Sequence, residues 1–230
     1  MPDASHTQHR AASRDRFRHV RFVGGGSGGG KSTVARHLAG RYGLRLIESE
    51  PFSRFVPRTT PETAPLLHQF VAMEMDERWV NRSPEEMRDT FHAFHGETFP
   101  LLVEDLAALP GQPPILVEGL DLLPRLVQPL LSQTSQAVWL IPTPEFRRAA
   151  NESRGSTYAI AGRTSDPERA LANLLERDRL FIDDLAREVT AHGLSVINVD
   201  VEMSVDDLVQ RVAEVLALAP PRMADVGPGG

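Results

Sequence analysis

Cysteine is absent from the 230-residue chain, which removes a disulfide scaffold, a thiolate metal site and a cysteine nucleophile together. A reducing, cytoplasmic context is then the simpler expectation. Lysine is nearly absent too: among 25 basic residues only Lys31 is not arginine. No apolar run approaches the roughly 18 residues needed to cross a bilayer, and the polar stretch through His19 lacks the apolar segment of a secretory signal. A net charge of −6 argues against coating nucleic acid or an anionic membrane, so neither partner is expected, and the chain is expected as a monomer or homodimer. What is present is ordinary globular usage, 41% apolar and 24% charged, at a length suited to one cored domain.

Short aliphatic runs alternate with helical stretches. The runs begin at Val20-Arg21-Phe22-Val23, Leu44-Arg45-Leu46-Ile47, Ile115-Leu116-Val117-Glu118, Ala137-Val138-Trp139-Leu140-Ile141 and Ser195-Val196-Ile197-Asn198-Val199. Helical periodicity covers Ser32 to Tyr42, then a long region in two pieces, opened by Thr60-Pro61-Glu62 and by the capping box Ser83-Pro84-Glu85-Glu86 and running to about Asn81 and Leu109. Asp166-Pro167-Glu168 opens a helix reaching His192-Gly193, and Ser204 to Leu218 forms the last. Five buried strands alternating with helices predict a parallel sheet covered on both faces. The helical segment between the second and third strands is too long for an ordinary crossover, and a substrate-binding subdomain is expected there.

Gly25-Gly26-Ser27-Gly28-Gly29-Gly30-Lys31-Ser32 matches the phosphate-binding pattern G-x-x-x-x-G-K-[ST]. A polyphosphate needs many converging backbone N–H groups, hence residues without a Cβ, and a helix N-terminus beneath it. The same glycines would suit a flexible linker, but a strand precedes them and an amphipathic helix follows. The lone lysine falls where a compact ammonium is required and a broad guanidinium would not fit. Gly25, Gly26, Ser27, Gly28, Gly29, Gly30 and Lys31 are thus expected to cradle ATP. Ser32 is expected on Mg²⁺ and Thr33 at the α-phosphate. A second acidic metal ligand belongs at the end of a neighbouring strand; Glu118 before Gly119 is the better candidate, since Asp105 continues into Leu106-Ala107-Ala108-Leu109 at helical spacing.

With these motifs the chain resembles the P-loop small-molecule kinases, in particular the nucleoside and nucleoside-monophosphate kinase branch with uridine kinase and shikimate kinase. Leu116-Val117-Glu118-Gly119 is similar to the Glu-Gly that closes the third strand in uridine kinase-like enzymes. Glu50-Pro51-Phe52-Ser53-Arg54 resembles uridine kinase's Asp-Ser-Phe-Tyr-Arg, and Glu48-Ser49-Glu50 shikimate kinase's Asp-x-Asp; both alignments place a carboxylate at Glu50, with Glu where the families have Asp. The resemblance implies an α/β P-loop NTPase fold with strand order 2-3-1-4-5. It also implies an ATP- and Mg²⁺-dependent kinase acting on a nucleoside, nucleotide or other hydroxyl-bearing metabolite, with Glu50 accepting the acceptor's proton. The implied layout is one domain over 20–218, between disordered tails at 1–19 and 219–230. It carries a helical insertion at 57–112 and an arginine-bearing lid at 154–166, with Arg154 and Arg163 as lid residues.

Other residues keep two readings. Arg54, Arg58, Arg78, Arg82 and Arg88 could bind an anionic acceptor or lie on solvated helix faces. His92 and His95 suggest a metal pair with no third ligand, or structural roles, and Trp139 is expected in the core. A regulatory nucleotide hydrolase or switch would use the same loop without an acceptor; the carboxylate after the second strand and the arginine-rich lid favour the kinase.

Overall fold

The computed structural model describes residues 14–49, 52–154 and 156–219, other than the side chains of 151–158. Its five strands, β1 (Val20–Gly25), β2 (Arg45–Glu48), β3 (Ile115–Glu118), β4 (Ala137–Pro142) and β5 (Ser195–Val199), form one sheet in the order β2-β3-β1-β4-β5. All four pairings are parallel. This is the α/β P-loop arrangement that the motifs imply. Registers such as Val23 opposite Glu118, and Glu118 opposite Glu48, bring the carboxyl ends of β1, β2 and β3 to one edge. Open parallel sheets bind ligands at that edge, where the strand order reverses.

Period-two alternation sorts the strand residues between two cores. Val20, Phe22, Ile115, Val117, Ala137 and Trp139 face a layer with Phe55, Leu102, Phe181 and Leu185. Val23, Leu116, Val138 and Leu140 face the other, against Val34 and Leu38 of α1 (Lys31–Tyr42) and Leu208, Val209 and Val212 near the C-terminus. Trp139 is fully buried, and its Nε1–H donates to the Leu122 carbonyl at 2.8 Å.

The inserted region is more broken than its periodicity suggests. It contains α2 (Pro65–Ala72), α3 (Met75–Trp79), α4 (Pro84–Thr90), α5 (His92–His95) and α6 (Phe99–Ala108). The first of these starts with Pro65 at its first turn rather than Pro61. Ser83 caps α4 as expected, accepting the Glu86 N–H at 3.2 Å. Gly96, at φ 71°, ends α5, and Pro100 opens α6 anew, so one long predicted helix becomes three. Between β3 and β4 lies the one-turn α7 (Pro124–Val127).

After β4 come α8 (Pro144–Arg154), α9 (Ser156–Ala161), α10 (Pro167–Ala191) and, after β5, α11 (Val205–Val215). The expected lid at 154–166 is therefore largely helical. Ala161 is buried in a small third core with Phe70, Trp79, Met87, Ala170 and Leu174, and Asp76 accepts the Ser165 N–H at 2.8 Å and also its hydroxyl. These contacts fasten the segment to the insertion. The packed body also begins before Val20: Phe17 is buried, and its carbonyl accepts from Gln136 Nε2 at 2.9 Å.

Candidate phosphate and acceptor site

β1 delivers the glycine loop between β3 and β4. Gly25 sits at φ 136°, and a Cβ there would overlap the Leu140 carbonyl of β4; no other residue type fits. Gly30, at φ 86°, is the N-cap of α1. A glycine N-cap has no side chain to satisfy the orphan N–H groups of the first turn, which stay directed at whatever the loop encloses. Lys31 opens the helix and is only 8% exposed; its Nζ donates to the Gly26 carbonyl at 2.9 Å, which fixes the ammonium inside the loop. Ser32 and Thr33 follow on the first turn, both half-buried. Within the loop, the Gly26 N–H donates to the Leu140 carbonyl at 3.3 Å and the Gly29 N–H to the Gly26 carbonyl at 3.2 Å; the helix N-terminus and the buried ammonium together can hold negative charge.

Glu118 ends β3 beside Val23 of the loop strand and is 6% exposed. Its rival Asp105 sits instead on α6, where Arg58 Nη1 donates to both carboxylate oxygens at 2.8 Å, a surface ion pair. Glu48, at the end of β2, is exposed and pairs with Arg36 of α1 at 3.3 Å. Glu50 lies outside the described residues. Ser49, just before it, is buried: its N–H donates to the Glu118 carbonyl at 2.8 Å and its hydroxyl donates to Asp121. A Cβ at Gly119 would overlap the Ser49 hydroxyl, so the glycine is what allows β2 and the β3 loop to approach. Asp121, 4% exposed, is a second buried carboxylate at this edge that the sequence reading did not single out. Its only signal was an acid two residues past the Glu118-Gly119 pair.

The arginines divide by environment. Arg147 of α8, Arg148 beside it and Arg179 of α10 border a cleft of about 370 Å³ with Pro144, Leu175 and Glu176. Arg147 Nη2 donates to the Leu175 carbonyl at 2.7 Å, and burial draws its pKa below the usual guanidinium range. Arg179 is held by Glu176 and Asp183, both at 2.7 Å, and the Glu176 hydrogen bond pushes its pKa up. The same two helices also reach the glycine loop: a Cβ at Gly28 would lie 3.9 Å from Ala150 of α8, and one at Gly26 would overlap Ile182 of α10. Arg163 is exposed after α9. Arg154 ends α8, with its side chain outside the described set.

Of the arginines around the insertion, Arg58 pairs with Asp105, Arg78 donates to the Val71 carbonyl, Arg82 to the Glu77 carbonyl and Thr90, and Arg88 pairs with Asp89. Arg54 and Arg78 are both half-buried over aromatic rings, Arg54 4.5 Å from the Phe55 centroid and Arg78 4.7 Å from that of Phe70, and among the described residues Arg54 Nε and Nη2 and Arg78 Nε have no hydrogen-bond partner. His92 and His95 part company. His95 is exposed and bonds the Asp89 carbonyl at 2.8 Å, whereas His92 is 2% exposed within an aromatic cluster. Among the described residues no group of three metal-ligating side chains occurs.

No family model and no curated protein matches the chain. Among solved structures it is similar to a sugar kinase from a Janibacter species, at 18% identity and a TM-score of 0.44, over 87% of this chain and 96% of that one. It is also similar to a deoxyadenosine kinase from M. mycoides with bound dATP (13% identity, TM-score 0.43, 86% and 99% of the two chains). A thymidylate kinase from Candida albicans is a further likeness (13% identity, TM-score 0.43, 87% and 91%). The strand order and the glycine loop of this chain carry its fold.

Proposed function

We propose that the protein is an ATP- and Mg²⁺-dependent kinase that transfers the γ-phosphoryl group to a hydroxyl- or phosphate-bearing small molecule. The observation that carries this reading is the buried Lys31 ammonium, held 2.9 Å from Gly26 inside the glycine loop, one strand away from the buried Glu118 carboxylate. The loop from Gly25 to Gly30 and Lys31 would hold the phosphates, with Thr33 nearest the α-phosphate. Ser32 and Glu118 offer a hydroxyl and a carboxylate oxygen, the hard donors that Mg²⁺ takes, and would hold it. When bound, the ion neutralises charge on the transferring group.

In the transfer, an oxygen of the acceptor forms a bond to the γ-phosphorus as the bond to the β,γ-bridging oxygen breaks, and ADP leaves. Where the acceptor is a hydroxyl, Glu50 takes its proton. The charge that gathers on the transferring group is met by Lys31, and by arginines after β4: Arg154 and Arg163, with Arg147 and Arg148 beside the cleft. The test is ADP release measured with ATP, Mg²⁺ and a panel of nucleosides, nucleotides and sugar acids. Acceptor-dependent release that is lost in Lys31→Ala and reduced in Glu50→Gln supports the kinase. Slow release at one rate with every acceptor, unaffected by Glu50→Gln, assigns the chain to hydrolases or switches instead.

A further inference from the structure

The chain that follows β3 is tied to the central strands. The Gly119 N–H donates to the Val23 carbonyl of β1 at 3.2 Å, the Leu122 carbonyl accepts from Trp139 Nε1 of β4 at 2.8 Å, and the Asp121 carbonyl accepts the Leu123 N–H at 2.9 Å. Leu122 and Leu123 are both buried. Asp121 therefore stands on backbone that β1 and β4 hold in place.

β2 lies at the edge of the sheet, bonded to β3 alone, and Ser49 is where the chain leaves it. Two bonds hold that residue: its N–H donates to the Glu118 carbonyl at 2.8 Å, and its hydroxyl donates to the Asp121 carboxylate. Ser49 and Asp121 are both buried, and they meet because Gly119 has no Cβ to stand between them. A hydroxyl bonded to a carboxylate is a charge-assisted contact, stronger than a neutral one. Two apolar side chains of the same shape would stabilise the fold at least as well, since a buried carboxylate has to be desolvated. What an apolar pair lacks is direction: the hydrogen bond fixes where the Ser49 side chain points, and with it the backbone that carries it.

Resting on the kinase reading of this edge, we propose that Asp121 is a positioning residue for phosphoryl transfer: through the Ser49 hydroxyl it fixes the exit of β2, and so sets the Glu50 carboxylate against the acceptor. Asp121 acts through Ser49 and touches no reacting atom. One peptide bond joins Ser49 to Glu50, so a shift of the Ser49 backbone passes directly to the general base. Misplacing a catalytic group by about 1 Å can cost about a hundredfold in rate. The loss falls on the transfer step, because the phosphates are held by the glycine loop and Lys31, which Ser49 leaves untouched.

The test is a set of coupled substitutions, with kcat and acceptor KM measured on the best acceptor of the panel and ATP affinity measured by calorimetry without acceptor. Ser49→Ala and Asp121→Ala each remove one end of the bond. Each is expected to lower kcat by about tenfold or more, while acceptor KM and ATP affinity stay within about threefold of wild type. Changing both ends together should cost no more than changing either. In a Glu50→Gln background Ser49→Ala should lower kcat no further, because its effect runs through that carboxylate. Asp121→Asn, which keeps an oxygen for the Ser49 hydroxyl, should hold kcat within about threefold of wild type. Should Asp121→Ala fail to fold, Asp121→Asn and Ser49→Ala carry the test. A kcat unchanged in Ser49→Ala, an equal loss from it with and without Glu50, transfer indifferent to Glu50→Gln, or Asp121→Asn as impaired as Ser49→Ala would each overturn the assignment and leave the kinase standing. Wild-type protein that transfers to no acceptor removes the kinase reading, and this assignment falls with it.

Discussion

Replacing Gly119 by alanine tests how closely the second and third strands must approach to build the site. The added Cβ would overlap the Ser49 hydroxyl and stand 2.7 Å from Asp121 Oδ1 and 3.0 Å from Ser49 Cβ. Ser49 and Asp121 are 1% and 4% exposed, so neither can retreat into solvent. Overpacking of this kind costs about 1–3 kcal/mol, and depriving a buried carboxylate of its hydroxyl donor costs about 1–3 kcal/mol more. Gly119→Ala is therefore expected to destabilise by roughly 2–6 kcal/mol, read from the midpoint of urea unfolding with an unchanged slope. In a Ser49→Ala background the obstructing oxygen and its bond are already gone, so the added cost should shrink and the two changes should couple by at least about 1 kcal/mol. Additive effects, or a Gly119→Ala cost below about 0.5 kcal/mol, would refute the contact as the reason for the glycine.

Three further outcomes follow from other parts of the molecule. Trp139→Phe removes the bond to the Leu122 carbonyl and some ring volume, and should cost about 1–3 kcal/mol in the same assay. His92 titrates near pH 4 when folded and near about 6.5 when unfolded; below the higher value the unfolded chain binds the extra proton. Its contribution to stability is thus intact above pH 6.5 and lost as pH falls toward 4, by up to about 3 kcal/mol, and His92→Leu should flatten that part of the pH–stability curve. Lys31→Arg keeps the charge but not the compact shape, so it should weaken nucleotide binding by about tenfold or more, as Lys31→Ala does; calorimetric affinity within threefold of wild type would contradict the fit of the loop.

The strands were legible because each is a short aliphatic run closed by glycine, proline or an acid, and because burial on both faces demands such runs. The glycine loop was legible for a related reason: its glycines are required by contacts with Leu140 and by positive φ at Gly25 and Gly30. The insertion was not, since its periodicity continues through Gly96 and Pro100 while the chain turns there to build a core with α9 and α10. The spacing of His92 and His95 groups them on one face, whereas α5 is a single turn with one histidine inside and the other in solvent, so packing alone separates the structural reading of His92 from the surface one. Asp121 acquires its meaning only from Ser49, which is distant in sequence and brought beside it by the β2-β3 pairing. The exposed Arg36–Glu48 pair and the buried Arg177–Asp178 pair look alike in composition, and only packing separates them.

The most direct test of the central claim is to follow the phosphoryl group itself. ATP radiolabelled at its γ-phosphate is incubated with the protein, Mg²⁺ and the acceptor panel, and the products are separated by thin-layer chromatography. The account predicts that label moves onto an acceptor of the panel with wild-type protein and not with Lys31→Ala or with Mg²⁺ chelated. Label that stays in ATP, or appears only as inorganic phosphate whatever acceptor is present, would contradict it.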